Sequence, residues 1–78
     1  MDLQQIKANR FQFLKKVYEL SEGSTAVFLN MFDHVGAQLN FDHNTTQNIV
    51  DYLINEGLLE VRGLGGGISI STLWYQRS

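Results

Sequence analysis

The run HNTTQN, residues 43–48, places five side chains suited to recognising hydrogen-bond patterns within two helical turns: His43, Asn44, Thr45, Gln47 and Asn48. Asn and Gln carry a donor and an acceptor on one planar amide, which can pair bidentately with adenine in the major groove, and a Thr can touch a thymine methyl. The same residue types also make an ordinary solvated helix face. Two Asp-His pairs, Asp33-His34 and Asp42-His43, invite a metal reading, but their spacing matches no ligand motif, and both acids stand where helix starts need them. The run GLGGG, residues 63–67, lacks the Lys-Ser/Thr end of a phosphate-binding loop and a helix after it, so it is expected to form a flexible hairpin tip. Ser21, Ser24 and the histidines belong to no nucleophile motif. These residues point to a binding domain with no catalytic activity, no metal and no cofactor.

A domain that binds duplex DNA also needs cations for phosphates, because phosphate neutralisation supplies most nonspecific affinity. The chain has a formal charge of -2. From Gly23 through Val61 it carries Asp33, Asp42, Asp51, Glu56 and Glu60 and no Lys or Arg. Candidate phosphate contacts are therefore Lys15, Lys16, Arg62 and the backbone amides of Gly65, Gly66 and Gly67. This shortage predicts weak duplex binding by a monomer. It also raises a rival from another class, a protein partner bound through the same polar helix or through the aromatics near the end of the sequence.

These side chains need a scaffold, and 78 residues supply one domain, residues 1–78, with a small core. There is no cysteine, so packing alone must stabilise it, and a cytoplasmic location is expected. No apolar run approaches the roughly 20 residues that span a bilayer, and MDLQQIKANR lacks the apolar segment of a signal peptide. No membrane role is expected.

Periodicity and punctuation then define the elements. Asp2 with Gln5 resembles a capping box, and Ile6, Phe13, Leu14, Val17 and Leu20, widened by Phe11 and Tyr18, form the apolar stripe of a first helix over about 3–22, ended by Gly23. The apolar run at residues 26–29 suits an edge strand. Asn30 caps a second helix over about 31–39, in which Gly36 is explained if another helix approaches closely there. Asn40 turns the chain in a left-handed conformation and Phe41 points back to the core. Asp42 caps a third helix over about 42–56, with Ile49, Val50, Leu53 and Ile54 buried, Thr46 at its upper end and Gly57 as its stop. Alternation around the glycine run predicts a hairpin over about 58–72. The fold class is mainly α with a small antiparallel sheet (α+β).

This order, and above all IVDYLINEGLLEVRGLGGGISIS, resembles the winged helix-turn-helix domain of prokaryotic transcriptional regulators over nearly the whole chain. The resemblance implies a three-helix core with a β-hairpin wing at Arg62–Gly67. It also implies double-stranded DNA as partner, with the third helix as recognition helix carrying His43, Asn44, Thr45, Gln47 and Asn48. Relatives often continue past the last strand through a glycine-containing step into another helix, whereas Leu73 stands where that glycine is expected. The aromatics Trp74 and Tyr75 are candidate interface residues. They can fold back over the first helix, mediate self-association, or belong to a cut-off helix of a longer protein.

Overall fold

The computed structural model describes residues 3–63 and 65–71. Asp2, Leu73, Trp74 and Tyr75, named above, and residue 64 of the glycine run lie outside the described residues. The first helix, α1, spans Leu3–Ser21. A two-residue strand, β1, Leu29–Asn30, leads into a second helix, α2, which runs as a wide π-type turn over Met31–Gly36 and a tight 3-10 turn over Ala37–Leu39. The third helix, α3, spans His43–Asn55 and is followed by β2, Leu59–Val61, and β3, Gly67–Ile70. The chain is thus mostly helical with a small antiparallel sheet, ordered β1-β3-β2, in which Leu29 pairs with Ile68 and Leu59 with Ile70.

Each helix ends by the same device. A residue in the left-handed conformation turns the chain, and the next amide reaches back to a carbonyl five residues earlier. In α1 this residue is Glu22 (φ 56°), with the Gly23 amide on the Tyr18 carbonyl at 3.0 Å. Asn40 (φ 60°) turns α2, with Phe41 on Gly36 at 2.9 Å, and Gly57 (φ 76°) turns α3, with Leu58 on Leu53 at 2.9 Å. Asn40 and Gly57 are the expected residues. At the first helix Glu22, rather than Gly23, occupies the C′ position, and a side chain there costs about 1–2 kcal/mol.

Among the described residues, ten apolar side chains make the core: Phe13 and Val17 of α1, Met31 and Val35 of α2, Ile49, Val50 and Leu53 of α3, and Leu59, Ile68 and Ile70 of the sheet. The α3 stripe is as expected, with Ile54 at its half-buried edge and Phe41 packed against the cluster. The α1 stripe is narrower than expected. Its buried line is Asn9, Phe13, Val17 and Ser21, while Phe11 is 66% exposed and Tyr18 and Leu20 also face outward. Phe11 lies two positions from Phe13, about 200° around the helix, so one face cannot bury both. The line instead takes in Asn9, whose Oδ1 accepts from Gln5 Nε2 at 2.9 Å.

The expected strand at residues 26–29 is also shorter and later. The Ala26 amide donates to Ser24 Oγ in a local turn, Val27 and Phe28 are exposed, and pairing begins only at Leu29. It stops one residue later because Asn30 must also start α2. Its side-chain oxygen accepts from the amides of Phe32 and Asp33, both at 2.9 Å.

Nor do the glycines at 65–67 form a free loop. Asn30 Nδ2 donates to the Gly65 carbonyl at 3.0 Å, the Met31 amide donates to the Gly66 carbonyl at 2.8 Å, and the Arg62 amide donates to the Gly67 carbonyl at 2.7 Å. At Gly66 the backbone (φ 92°) favours glycine, and a Cβ would crowd the Phe32 ring at 3.2 Å.

Gly36 is where α2 presses on α3. A Cβ there would stand 2.5 Å from Thr46 Oγ1 and 3.3 Å from Thr46 Cγ2. We expect Gly36→Ala to destabilise the domain by about 1–2 kcal/mol net, the overpacking penalty outweighing the helix propensity gained by alanine. In a Thr46→Ala background the same change should cost clearly less, with the Met31 carbonyl left at 3.1 Å. Urea unfolding of the four proteins measures this, and additive effects would mean that the two helices do not press together here. Glu22→Gly should stabilise by about 1 kcal/mol by relieving the left-handed backbone; an unchanged or lowered urea midpoint would contradict that conformation.

Candidate nucleic-acid interface

The start of α3 positions the polar run. Asp42 Oδ1 accepts from the Thr45 amide at 2.7 Å, closing the first turn. That backbone hydrogen bond lowers the Asp42 carboxyl below its ordinary pKa, and the neighbouring His43 makes a smaller contribution in the same direction. From this start, the 3.6-residue period turns Thr46, Ile49, Val50 and Leu53 inward and leaves His43, Asn44, Gln47, Asn48 and Asp51 exposed. All five residues expected to read bases therefore lie on one helix, four of them exposed and Thr45 half-buried.

The exposed face has two different flanks. On the hairpin side, Gln47 and Asp51 line a shallow recess with Ile54, Val61, Gly66 and Gly67. His43 stacks on Phe32 of α2, with ring centroids 4.0 Å apart and planes 5° from parallel. Gln47 Nε2 donates to Asp51 Oδ1 at 2.9 Å, so its amide is engaged along the helix. The structure thus brings Gly66 and Gly67 of the tip beside Gln47.

On the other flank, Asn44, Thr45 and Asn48 face α1 across a cleft of about 340 Å³ that is also lined by Asn9 and Arg10. The Arg10 guanidinium lies over the Tyr52 ring, 3.6 Å from its centroid. Arg10 is a cation that the sequence reading missed. The available signal was its place three residues before Phe13 and four after Ile6, which borders the buried stripe and faces a packed neighbour.

The three cations expected to contact phosphate lie elsewhere. Arg62 binds Glu60 Oε2 through Nη2 at 2.9 Å and Ser69 Oγ through Nε at 2.9 Å, with its guanidinium 5.4 Å from the Phe28 ring centroid. These partners hold it on the sheet, where Ser71 Oγ also donates to Glu60 Oε1 at 3.3 Å. Lys15 and Lys16 line a groove with Gln12, Glu19 and Leu39, and Lys16 pairs with Glu19 at 3.8 Å. The structure therefore does not gather Lys15, Lys16 and Arg62 around α3. His34 Nδ1 accepts from the Asn30 amide at 2.9 Å. Among the described residues, no group of three or more His, Cys, Asp or Glu could hold a metal, and no helix is long and apolar enough to cross a membrane.

Comparison with protein families, curated proteins and solved structures finds no match.

Because Asp42 has a lower pKa when folded than when unfolded, its stabilisation is fully present above the unfolded carboxyl pKa and is lost as pH falls through the folded one. The Thr45 amide should accordingly shift and exchange faster with solvent as Asp42 protonates, with a midpoint below that of an unfolded Asp. Asp42→Asn should keep the cap and abolish this titration. A midpoint at or above the ordinary carboxylate value in an NMR pH series would contradict the capped geometry.

Proposed function

We propose that this chain is a winged helix-turn-helix domain of the prokaryotic regulator type and that it meets double-stranded DNA through the exposed face of α3, without catalysis. The order of three helices followed by a hairpin supports the fold assignment. The functional reading rests on one observation above the others: α3 presents amide and hydroxyl side chains at its N-terminal half, and Arg10 lies at the flank of that half. In this arrangement Asn44 and Asn48 read base edges, Gln47 does so if it exchanges Asp51 for a base, and Gly66 and Gly67 follow the backbone beside the groove.

A second reading, a non-catalytic protein-interaction module on the same fold, is favoured by a specific observation. Asp51 is exposed among the proposed readers and accepts from Gln47, while Arg62 is already paired with Glu60. An acid within the face opposes a polyanion and suits a basic protein surface.

Asp51→Asn separates the two readings by the sign of its effect. On DNA it should raise affinity for all duplexes, roughly fivefold at low salt, the factor for about 1 kcal/mol between unit charges some 4 Å apart in water. Asn48→Ala should instead reduce discrimination between sites by about 1–3 kcal/mol. Fluorescent duplex titrations, with two domains tethered to raise weak affinity, provide the measurement. If even the Asp51→Asn dimer fails to bind at low salt, DNA is not the ligand and the protein-interaction reading leads.

A further inference from the structure

The cleft between α1 and α3 has a net positive lining in an acidic chain. In a chain with 8 acids and 6 bases, its lining of Ile6, Asn9, Arg10, Asn44, Thr45, Asn48 and Ile49 contains one cation and no carboxylate. Among the described residues Arg10 forms no ion pair. Its guanidinium is held by its face, through the Tyr52 ring. Such stacking restrains a long side chain while leaving the in-plane N–H donors available, because a cation–π contact uses the π face and hydrogen bonds use the edge. An edge of this kind matches two oxygens of a phosphate or carboxylate.

We propose that this cleft is a phosphate-binding site, with Arg10 as the charge-bearing clamp beside the base-reading amides of Asn44 and Asn48. Three features favour phosphate. Asn44 and Asn48 are one helical turn apart, so the edge of α3 that faces Arg10 carries neutral amides and no carboxylate. The cleft is at the N-terminal half of that helix, where the dipole favours an anion. Ile6, half-buried at the rim, adds apolar surface of the kind a sugar ring attached to the phosphate covers.

The opposing charges are Asp42, tied to the Thr45 amide, and Asp51, tied to Gln47. Neither lines the cleft. The proposal deepens the reading of α3 as a DNA surface and rests on it for the source of the phosphate, which is either a strand of the duplex or a free nucleotide.

The test uses the whole chain, ¹⁵N-labelled, with the Arg10 Nε–H signal assigned by Arg10→Lys. It is titrated separately with a short duplex, a mononucleotide and an acidic peptide. A saturable shift of Arg10 Nε–H with the duplex is the expected result. Arg10→Ala should then weaken all duplexes alike and reduce the salt slope by about one unit. Asn48→Asp, which puts a carboxylate into the cleft at an exposed position, should abolish the Arg10 shift while leaving the fold intact.

A shift with the mononucleotide but not the duplex would keep the phosphate site and overturn the DNA reading. Duplex binding that leaves Arg10 Nε–H unmoved and is unaffected by Arg10→Ala would overturn the site and keep the DNA reading. Response to the acidic peptide alone would assign the cleft to a protein carboxylate and overturn the proposal.

Discussion

The contact between Gly36 of α2 and Thr46 of α3 is the constraint from which the arrangement of helices follows. Two short helices can turn into each other through Asn40 and Phe41 only if their axes come close, and a hydrogen is all that fits at the point of approach. The closeness leaves the Thr46 hydroxyl buried with no hydrogen-bond partner among the described residues, a penalty of about 1–3 kcal/mol. In return, Val35 and Met31 reach the same core as Ile49, Val50 and Leu53. With its inner stripe fixed in this way, α3 can only turn Asn44, Gln47, Asn48 and Asp51 to solvent. The surface proposed to bind a partner is the outer side of that packing contact.

Asn30 extends the constraint to the sheet. One residue pairs in the ladder opposite Gly67, caps α2 with its side-chain oxygen and holds the Gly65 carbonyl with its side-chain nitrogen. Its own amide goes to His34. The hairpin tip is thereby set against the start of α2, and Phe32 fills the space between Gly66 and His43. Hydrogen bonds and ring contacts thus link tip, α2 and the first turn of α3 in one chain, so the two sides of the proposed interface are held at a fixed distance.

Much of this was legible in the sequence because it depends on local chemistry. Asn30 and Asp42 as caps, Asn40 and Gly57 as left-handed stops, and the α3 stripe each follow from a residue type and its immediate neighbours. What was not legible depends on tertiary partners. Nothing local shows that Phe11 and Tyr18 stay outside while Asn9 goes in, because that requires knowing which neighbours α1 meets. The glycine run reads as a loose tip until Asn30 and Met31 are seen to bind its carbonyls. Arg62 reads as a free cation until Glu60 and Ser69 are found on the same sheet. Arg10 reads as an ordinary surface residue until Tyr52 lies beneath it.

The proposed contact with duplex DNA runs along the exposed face of α3, from the cleft with α1 to the glycines of the hairpin. Intermolecular NOEs between a bound duplex and the labelled domain test it most directly. The expected contacts run from the Asn44 and Asn48 side-chain amides to major-groove protons and from Arg10 to the adjoining sugar. Contacts confined to Phe28, Arg62 and Val61 on the sheet side, with α3 silent, would contradict it.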